Sequence, residues 1–344
     1  MKNKNILALL ICIVFLAIAT AGCSGGGSVD DEVYPNGSIT MVIPYGAGGT
    51  TDIVGRKFAI ALEKILSQKI TVVNQPGASG TVAAQAVLNS EPDGYTVLFT
   101  ADSLGSVRVL DIANISYNDF SAIISVANDP KVIVVNKDSK YQTIEDLIAD
   151  AKNNPGQIKM SYTGPGGSGH VQSMIYSKAG LDFALTAYSG GNECLVAVLG
   201  EQVDFTNANY STVAGYIESG DLRVLATSDT ERLSSLPNVP ALVEYLPELE
   251  ELLSIPYTPL SLIVDKEVDE QVQTVLRDAA VEATKDKDFN LFMEQNSIEK
   301  LYEKYTTIDE INVFLKECES VVCWLMDDVG ATKISPSEFG IEKP

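Results

Sequence analysis

The chain has 344 residues, 45% of them apolar and 20% charged, an ordinary globular composition with room for two domains. Its formal net charge is −22, and arginine occurs only at 56, 108, 223, 232 and 277. Nucleic acid is excluded as a partner, because phosphate backbones need clustered Lys and Arg. An anion site here cannot rest on sequence-adjacent guanidinium groups.

The chain opens with a basic "MKNKN" and the apolar run "ILALLICIVFLAIA", the n-region and h-region of an export signal. "TAGC" follows, with small Ala21 and Gly22 before Cys23, and resembles the lipobox of bacterial lipoproteins. The reading is a signal peptide over 1–22, a lipid on Cys23 and a flexible tether over 23–32, where "SGGGSVDDE" is polar and glycine-rich.

Past the tether, short apolar runs alternate with helical spacing. "SITMVIPY" reads as a strand, and from Asp52 apolar residues at 53, 54, 58, 61, 62, 65 and 66 repeat with helical period. "KITVVNQPG" is a strand, "GTVAAQAVLNSE" a helix and "GYTVLFTA" a strand. The alternation resumes with strand "KVIVVNKD", helix "TIEDLIADAKNN", strand "QIKMSYT", helix "HVQSMIYSKAG", strand "FALTAYSG" and helix "ECLVAVLGEQ". Strands "VDFTNA" and "LRVLATS" flank the helix "STVAGYIESG", and the last part of the chain is mostly helical. The pattern predicts an α/β protein with parallel-rich sheets and helices on both faces. Two extended, proline-containing stretches, near 127–139 and 252–267, interrupt it and read as crossings between two domains. Domain one is then 33–131 plus 262–344 and domain two 136–255, an arrangement suited to closure around a ligand.

"YGAGGTTD" at 45–52 leads from a strand into a helix, and "TGPGGSGH" at 163–170 repeats it in the other half. Gly46 aligns with Gly164, Gly48 with Gly166, Gly49 with Gly167 and Thr50 with Ser168. Backbone N–H groups at helix starts attract anions. The pair is expected to hold one small anion at both ends. A side chain added at Gly49 or Gly167 is expected to strain its turn. The plainer alternative is two tight turns that use glycine only for positive φ.

Catalytic motifs fit less well. "GPGGSG" satisfies GxGxxG but lacks an acid at the expected distance, and "GGSGH" ends in His170 where a nucleophile elbow needs glycine. His170 is the chain's single histidine, and a secreted hydrolase or transferase built on Ser168 and His170 is the rival reading. No zinc, P-loop or EF-hand spacing occurs, so neither metal nor cofactor is expected. Cys194, Cys318 and Cys323 read as buried small hydrophobes.

Several stretches, in order, carry a resemblance: "YPNGSITMVIPYGAGGTTDIVGR", "VVNQPGASGTVAA", "PDGYTVLF", "TGPGGSGH", "AYSGGNECLVAVLGEQVDF" and "LRVLATSDTERLSSLPNVPALVE". Together they resemble the signatures of the tripartite tricarboxylate transporter solute receptors, or Bug receptors, over nearly the whole mature chain. Trp324 falls where such receptors carry a tryptophan in the last helix, while Ala187 and Ala208 stand where they commonly have Pro and Asp. The resemblance implies a two-domain, type II periplasmic-binding-protein fold with a ligand cleft between the domains, and no enzymatic activity. It implies a small organic carboxylate, a di- or tricarboxylate or similar, held by main-chain amides of the two turns. The ligand-binding residues so implied are Tyr45, Gly46, Ala47, Gly48, Gly49, Thr50, Thr51, Asp102, Ser103, Thr163, Gly164, Gly166, Gly167, Ser168, His170, Tyr188 and Asn209. It further implies a monomer, lipid-anchored to the outer face of the cell membrane, that delivers ligand to membrane permease subunits. A sensor subunit binding the same ligand is the remaining alternative.

Overall fold

Apolar, β-branched runs form strands here wherever helices can cover them. The computed structural model describes residues 34–255 and 258–344; the signal segment, Cys23 and the tether lie outside the described residues. The strands in chain order are β1 (Ile39–Ile43), β2 (Ile70–Asn74), β3 (Thr96–Thr100), β4 (Phe120–Asn128), β5 (Lys131–Asn136), β6 (Lys159–Tyr162), β7 (Ala184–Ala187), β8 (Phe205–Asn209), β9 (Leu222–Thr227), β10 (Pro259–Asp265) and β11 (Glu299–Lys300). The α-helices are α1 (Thr50–Leu66), α2 (Thr81–Leu88), α3 (Ile144–Asn153), α4 (Ser168–Lys178), α5 (Gly191–Leu199), α6 (Tyr210–Glu218), α7 (Glu250–Leu253), α8 (Glu270–Ala283), α9 (Lys287–Gln295), α10 (Leu301–Lys304) and α11 (Ile308–Asp328).

The strands make two sheets, ordered β11-β4-β10-β3-β1-β2 and β7-β6-β8-β5-β9. The pairs joined through helices run parallel: β1 with β2 and β3, and β6 with β7 and β8. The crossing strands run antiparallel. β5 pairs antiparallel with β8 and β9, and β10 with β3 and β4. Each sheet is therefore mixed.

The reason lies in the links. Between β4 and β5 stand only Asp129 and Pro130, too few residues for a helical return. Pro130 has no N–H to continue a ladder. On the way back the chain enters β10, which inserts between β3 and β4 with all seven residues buried. The second half of the stretch read as a crossing near 252–267 is thus an interior strand of the first sheet. β4, "FSAIISVAN", was not anticipated, because no helical pattern separates it from β5.

The longest helix joins two cores. The first part of α11 packs Ile311, Phe314 and Leu315 with Ala122 of β4. Its last part packs Val322, Cys323, Leu325 and Met326 with Ile133 of β5, Met160 of β6 and Ile175 of α4. At 1.5 Å per residue a helix of 21 residues is about 31 Å long, enough to serve both. The C-terminal end of the 262–344 range therefore packs with the second sheet. Thr307 starts this helix with a capping box to Glu310, and Thr143 caps α3 with Asp146 in the same way.

Candidate ligand-binding site

The two glycine turns enter their helices with one geometry, but Gly164 has a φ of 98° while the aligned Gly46 is not left-handed. Gly48 and Gly166 have φ of 79° and 82°. Gly49 and Gly167 are the N-caps of α1 and α4, with φ/ψ of −80°/168° and −73°/163°. Gly49 N–H donates to Gly46 O at 3.5 Å, and Gly167 N–H to Gly164 O at 3.3 Å. The residue four positions on completes each turn. Gly48 N–H donates to Asp52 Oδ2 (2.9 Å), and Gly166 N–H to His170 Nδ1 (3.1 Å). Left-handed backbone thus sits at Gly48, Gly164 and Gly166. Gly49 and Gly167 are extended, so a side chain there meets no backbone strain, although a Cβ on Gly167 would lie 2.9 Å from Thr163 Oγ1 and force it to shift.

Both turns lead to one cavity of about 40 Å³, room for roughly three water molecules. It is lined by Thr50 and Thr51 of α1, Ser168 and Gly169 of α4, Gly191 of α5, and Asn209 and Thr212 at the start of α6. Four helices therefore begin at its wall. The first N–H groups of a helix have no intrahelical partner. Among the described residues, no protein acceptor takes the N–H of Thr50, Thr51, Ser168, Gly169 or Gly191. None of the N-caps Gly49, Gly167 and Gly190 supplies a side-chain cap. At α6 the first two donors are taken: Tyr210 N–H goes to Pro130 O (2.8 Å) and Ser211 N–H to Asp129 Oδ1 (3.3 Å). Close backbone approach makes the convergence possible. A Cβ on Gly190 would lie 3.3 Å from Gly46 N, and one on Gly49 3.6 Å from Gly191 N.

The cavity also holds charge. Lys131, the first residue of β5, is 7% exposed, and its Nζ donates to Asn209 Oδ1 at 2.9 Å. Burial lowers its pKa, while Asp102 and Asp129 act in the opposite sense. Asp102 lines the cavity and accepts from Tyr45 OH at 3.1 Å. Burial, followed by Asp102, raises the Tyr45 phenol well above its ordinary value. Asp129 lies in the crossing, 1% exposed, and accepts from Thr50 Oγ1 and Ser211 Oγ. Its carboxyl is pushed up to about 6 by burial, against the lowering effect of those hydroxyls.

Of the residues implied from sequence, Tyr45, Gly49, Thr50, Thr51, Asp102, Thr163, Ser168 and Asn209 line this cavity. Gly46, Ala47, Gly48, Ser103, Gly164, Gly166, Gly167, His170 and Tyr188 do not. Ser103 stands behind Tyr45, 2.5 Å from its hydroxyl. Tyr188 packs on the cluster of Val132 and Leu195. The N–H groups of Gly48 and Gly166 already serve Asp52 and His170, so in this structure they are not available to a ligand. His170 stacks on Tyr162 at 5.2 Å and holds the turn; no hydrogen bond joins it to Ser168 among the described residues. Cys194 lines the cavity with its thiol pushed up to about 12 by burial, while Cys318 is half-buried rather than buried.

Sequence reading missed Lys131, which looks like an ordinary polar residue at a strand start, and Asn207. Gly190 and Gly191 carried the same strand–glycine–helix signal as the two recognised turns. All five arginines point elsewhere: Arg108, for example, pairs with Glu319 at 2.9 Å. Larger grooves of about 790 and 850 Å³ exist, but neither gathers α-helix N-termini.

Residues 54–317 match the family described as tripartite tricarboxylate transporter family receptor. The chain is 31% identical over 240 residues to Protein BugT of Bordetella pertussis, covering 68% of this chain and 73% of that one. The structure of the periplasmic binding protein BugD superposes with a TM-score of 0.79 at 24% identity, covering 87% of this chain and 99% of BugD. MatC from Rhodopseudomonas palustris, solved with bound malate, superposes with a TM-score of 0.77 at 19% identity, over 85% of this chain and 99% of MatC. Both share the mixed α/β, periplasmic-binding-protein fold. With most of its length matched in sequence and fold, the chain belongs to the tripartite tricarboxylate transporter receptor family, a family of extracytoplasmic solute receptors and not of enzymes.

Proposed function

We propose that this receptor captures a small organic carboxylate in the cavity at the helix N-termini and delivers it to the permease subunits of its transporter. One observation carries the reading: three helix starts bring N–H groups without protein acceptors to one cavity beside a buried lysine. Helix N-termini favour anions, and charge-assisted hydrogen bonds contribute about 1.5–3 kcal/mol each. MatC's bound malate is a ligand of this class. The cavity of about 40 Å³ is too small for a C4 dicarboxylate, so ligand entry requires the two sheets to separate. The domains proposed are 33–131 with 262–344 and 136–255, except that the last part of α11 goes with the second sheet, so the chain passes between them at Asp129–Pro130, ahead of β10 and within α11. Lipid on Cys23 would hold the monomer at the membrane.

Thermal-shift screening of the purified protein against organic acids, followed by calorimetry on hits, tests the reading. A ligand at 100–1,000 times its Kd should add about 3–4 kcal/mol of stability. Scattering should show a smaller radius of gyration on binding. No response to any organic acid would defeat the proposal. Cys23→Ser should release the exported protein from the membrane fraction, and retention there would defeat the lipid assignment.

A further inference from the structure

Asp102 is an unexpected residue for a site that holds only an anion. It lines the cavity, and a carboxylate there repels a second carboxylate. Tyr45 OH satisfies its Oδ1, but its Oδ2 is buried with no donor among the described residues. Asn207 lines the same cavity, 5% exposed, with its amide oriented so that Nδ2 donates to Tyr176 OH and Ser228 Oγ, both at 2.7 Å. Its Oδ1 is likewise buried without a partner. Two residues lining one small cavity thus each carry a buried acceptor without a donor among the described residues, and leaving such an acceptor unsatisfied is costly.

Lys131 supplies the opposite chemistry in the same space. Its ammonium has three donors and, among the described residues, one hydrogen-bond acceptor, Asn209 Oδ1. No ion pair within 4.0 Å joins it to Asp102 among the described residues. A cation with spare donors and a carboxylate with a spare oxygen therefore line one cavity without neutralising each other directly. The group that fits between them has an acceptor end and a donor end.

We propose that the cavity selects a small carboxylate that also carries a hydrogen-bond donor on the carbon beside the carboxylate, a hydroxy acid or an amino acid. The carboxylate meets the N–H groups of α1, α4 and α5 and the Lys131 ammonium, and the hydroxyl or ammonium donates to Asp102 Oδ2. This inference rests on the carboxylate-receptor reading and sharpens it, because a plain dicarboxylate would leave Asp102 unsatisfied and repelled.

The test is calorimetry with matched acids: succinate against malate and aspartate, and propionate against lactate and alanine. The expected result is at least tenfold tighter binding of a donor-bearing acid than of its plain partner. Asp102→Ala should shrink that preference to below threefold, the loss falling on the donor-bearing acids; a merely structural role would weaken all acids alike. Asp102→Asn keeps an acceptor but loses the charge. It should weaken amino acids more than hydroxy acids, which tells the two donors apart, and it keeps the test alive if the alanine variant fails to fold. Plain acids binding as tightly as their partners would overturn this inference and leave the receptor reading standing. Failure of every organic acid would overturn the receptor reading and this inference with it.

Discussion

The turns at 45–52 and 163–170 share their last two glycines' geometry and their helix entry, differ at Gly46 and the left-handed Gly164, and lie in different surroundings. Each has a left-handed glycine, an extended glycine N-cap, and a side chain four residues on that accepts the left-handed glycine's N–H. The first turn is exposed at Ala47 and Gly48, and it packs its backbone against Gly190, Gly191 and Asn192. In the second, Pro165 O accepts from Ser79 Oγ at 2.7 Å, and Gly166 O from Ser106 Oγ at 3.2 Å. The acceptor that completes the first turn is charged Asp52; that of the second is His170. Local geometry is therefore set by the glycines, and what each turn can do is set by what lies against it.

The largest difference should appear in stability. A Cβ on Gly166 would overlap Ser106 Oγ and lie 3.0 Å from Leu110, at positive φ. One on Gly48 would meet only the Asn192 side chain, at 3.6 Å. Gly166→Ala should cost about 2–5 kcal/mol, from backbone strain plus overpacking. Gly48→Ala should cost about 1–2 kcal/mol, from strain alone. Urea melts of the two variants measure this, and equal losses would mean that the surroundings do not matter.

Binding should separate the N-caps. An aspartate is a good N-cap, so Gly49→Asp should fold, and Gly167→Asp should fold with lower stability because its Cβ would lie 2.9 Å from Thr163 Oγ1; circular dichroism checks both. Gly49 lines the cavity and Gly167 does not. Gly49→Asp should weaken carboxylate binding about a hundredfold, the equivalent of one or two charge-assisted hydrogen bonds, and Gly167→Asp less than tenfold. Arg108→Ala should leave affinity unchanged, since Arg108 is held by Glu319 away from the cavity. Calorimetry that shows loss with Arg108→Ala and none with Gly49→Asp would point to a guanidinium site instead.

The link from the first turn to the crossing should respond to pH. Asp129, raised to about 6 by burial, binds its proton more tightly in the native state than in the unfolded chain. Its contribution to stability therefore falls as pH rises from about 4 to 6, by about 3 kcal/mol in all. Melts of Asp129→Asn should lack this component. A wild-type-minus-variant difference that stays flat between pH 4 and 7 would show that Asp129 is not buried as described.

The smallest effect concerns the two acceptors. Asp52 also accepts from Arg56 Nε (2.7 Å) and Asn74 Nδ2 (2.9 Å), so Asp52→Ala should cost about 2–3 kcal/mol. His170→Ala should cost about 1 kcal/mol, the value of one neutral hydrogen bond. Burial lowers the His170 pKa. Its contribution is complete above about pH 6.5 and is lost as pH falls below that value through the lower native pKa, so the variant's deficit should vanish in acid. A deficit that does not shrink as pH falls below about 6.5 would mean that His170 does not act through Nδ1.

Sequence by itself determined the local elements and the two turns. Hydrophobic period and glycine placement act over a few residues, so "ITMVI" and "GAGGTTD" were legible as strand, turn and helix start. The order of several such stretches was enough to indicate the receptor family. The alignment of Asp52 with His170 was also present in the letters, but its meaning needed the 2.9 and 3.1 Å hydrogen bonds. Tertiary structure decided the rest. β10 became an interior antiparallel strand because the returning chain found a gap between β3 and β4. Lys131 became a buried cation because Asn209, Asp129 and Asp102 come from β8, the crossing and the loop after β3. Which backbone N–H groups remain for a ligand follows from long-range packing. Burial and hydrogen-bond satisfaction are properties of neighbours brought together across more than a hundred residues, and no local pattern encodes them.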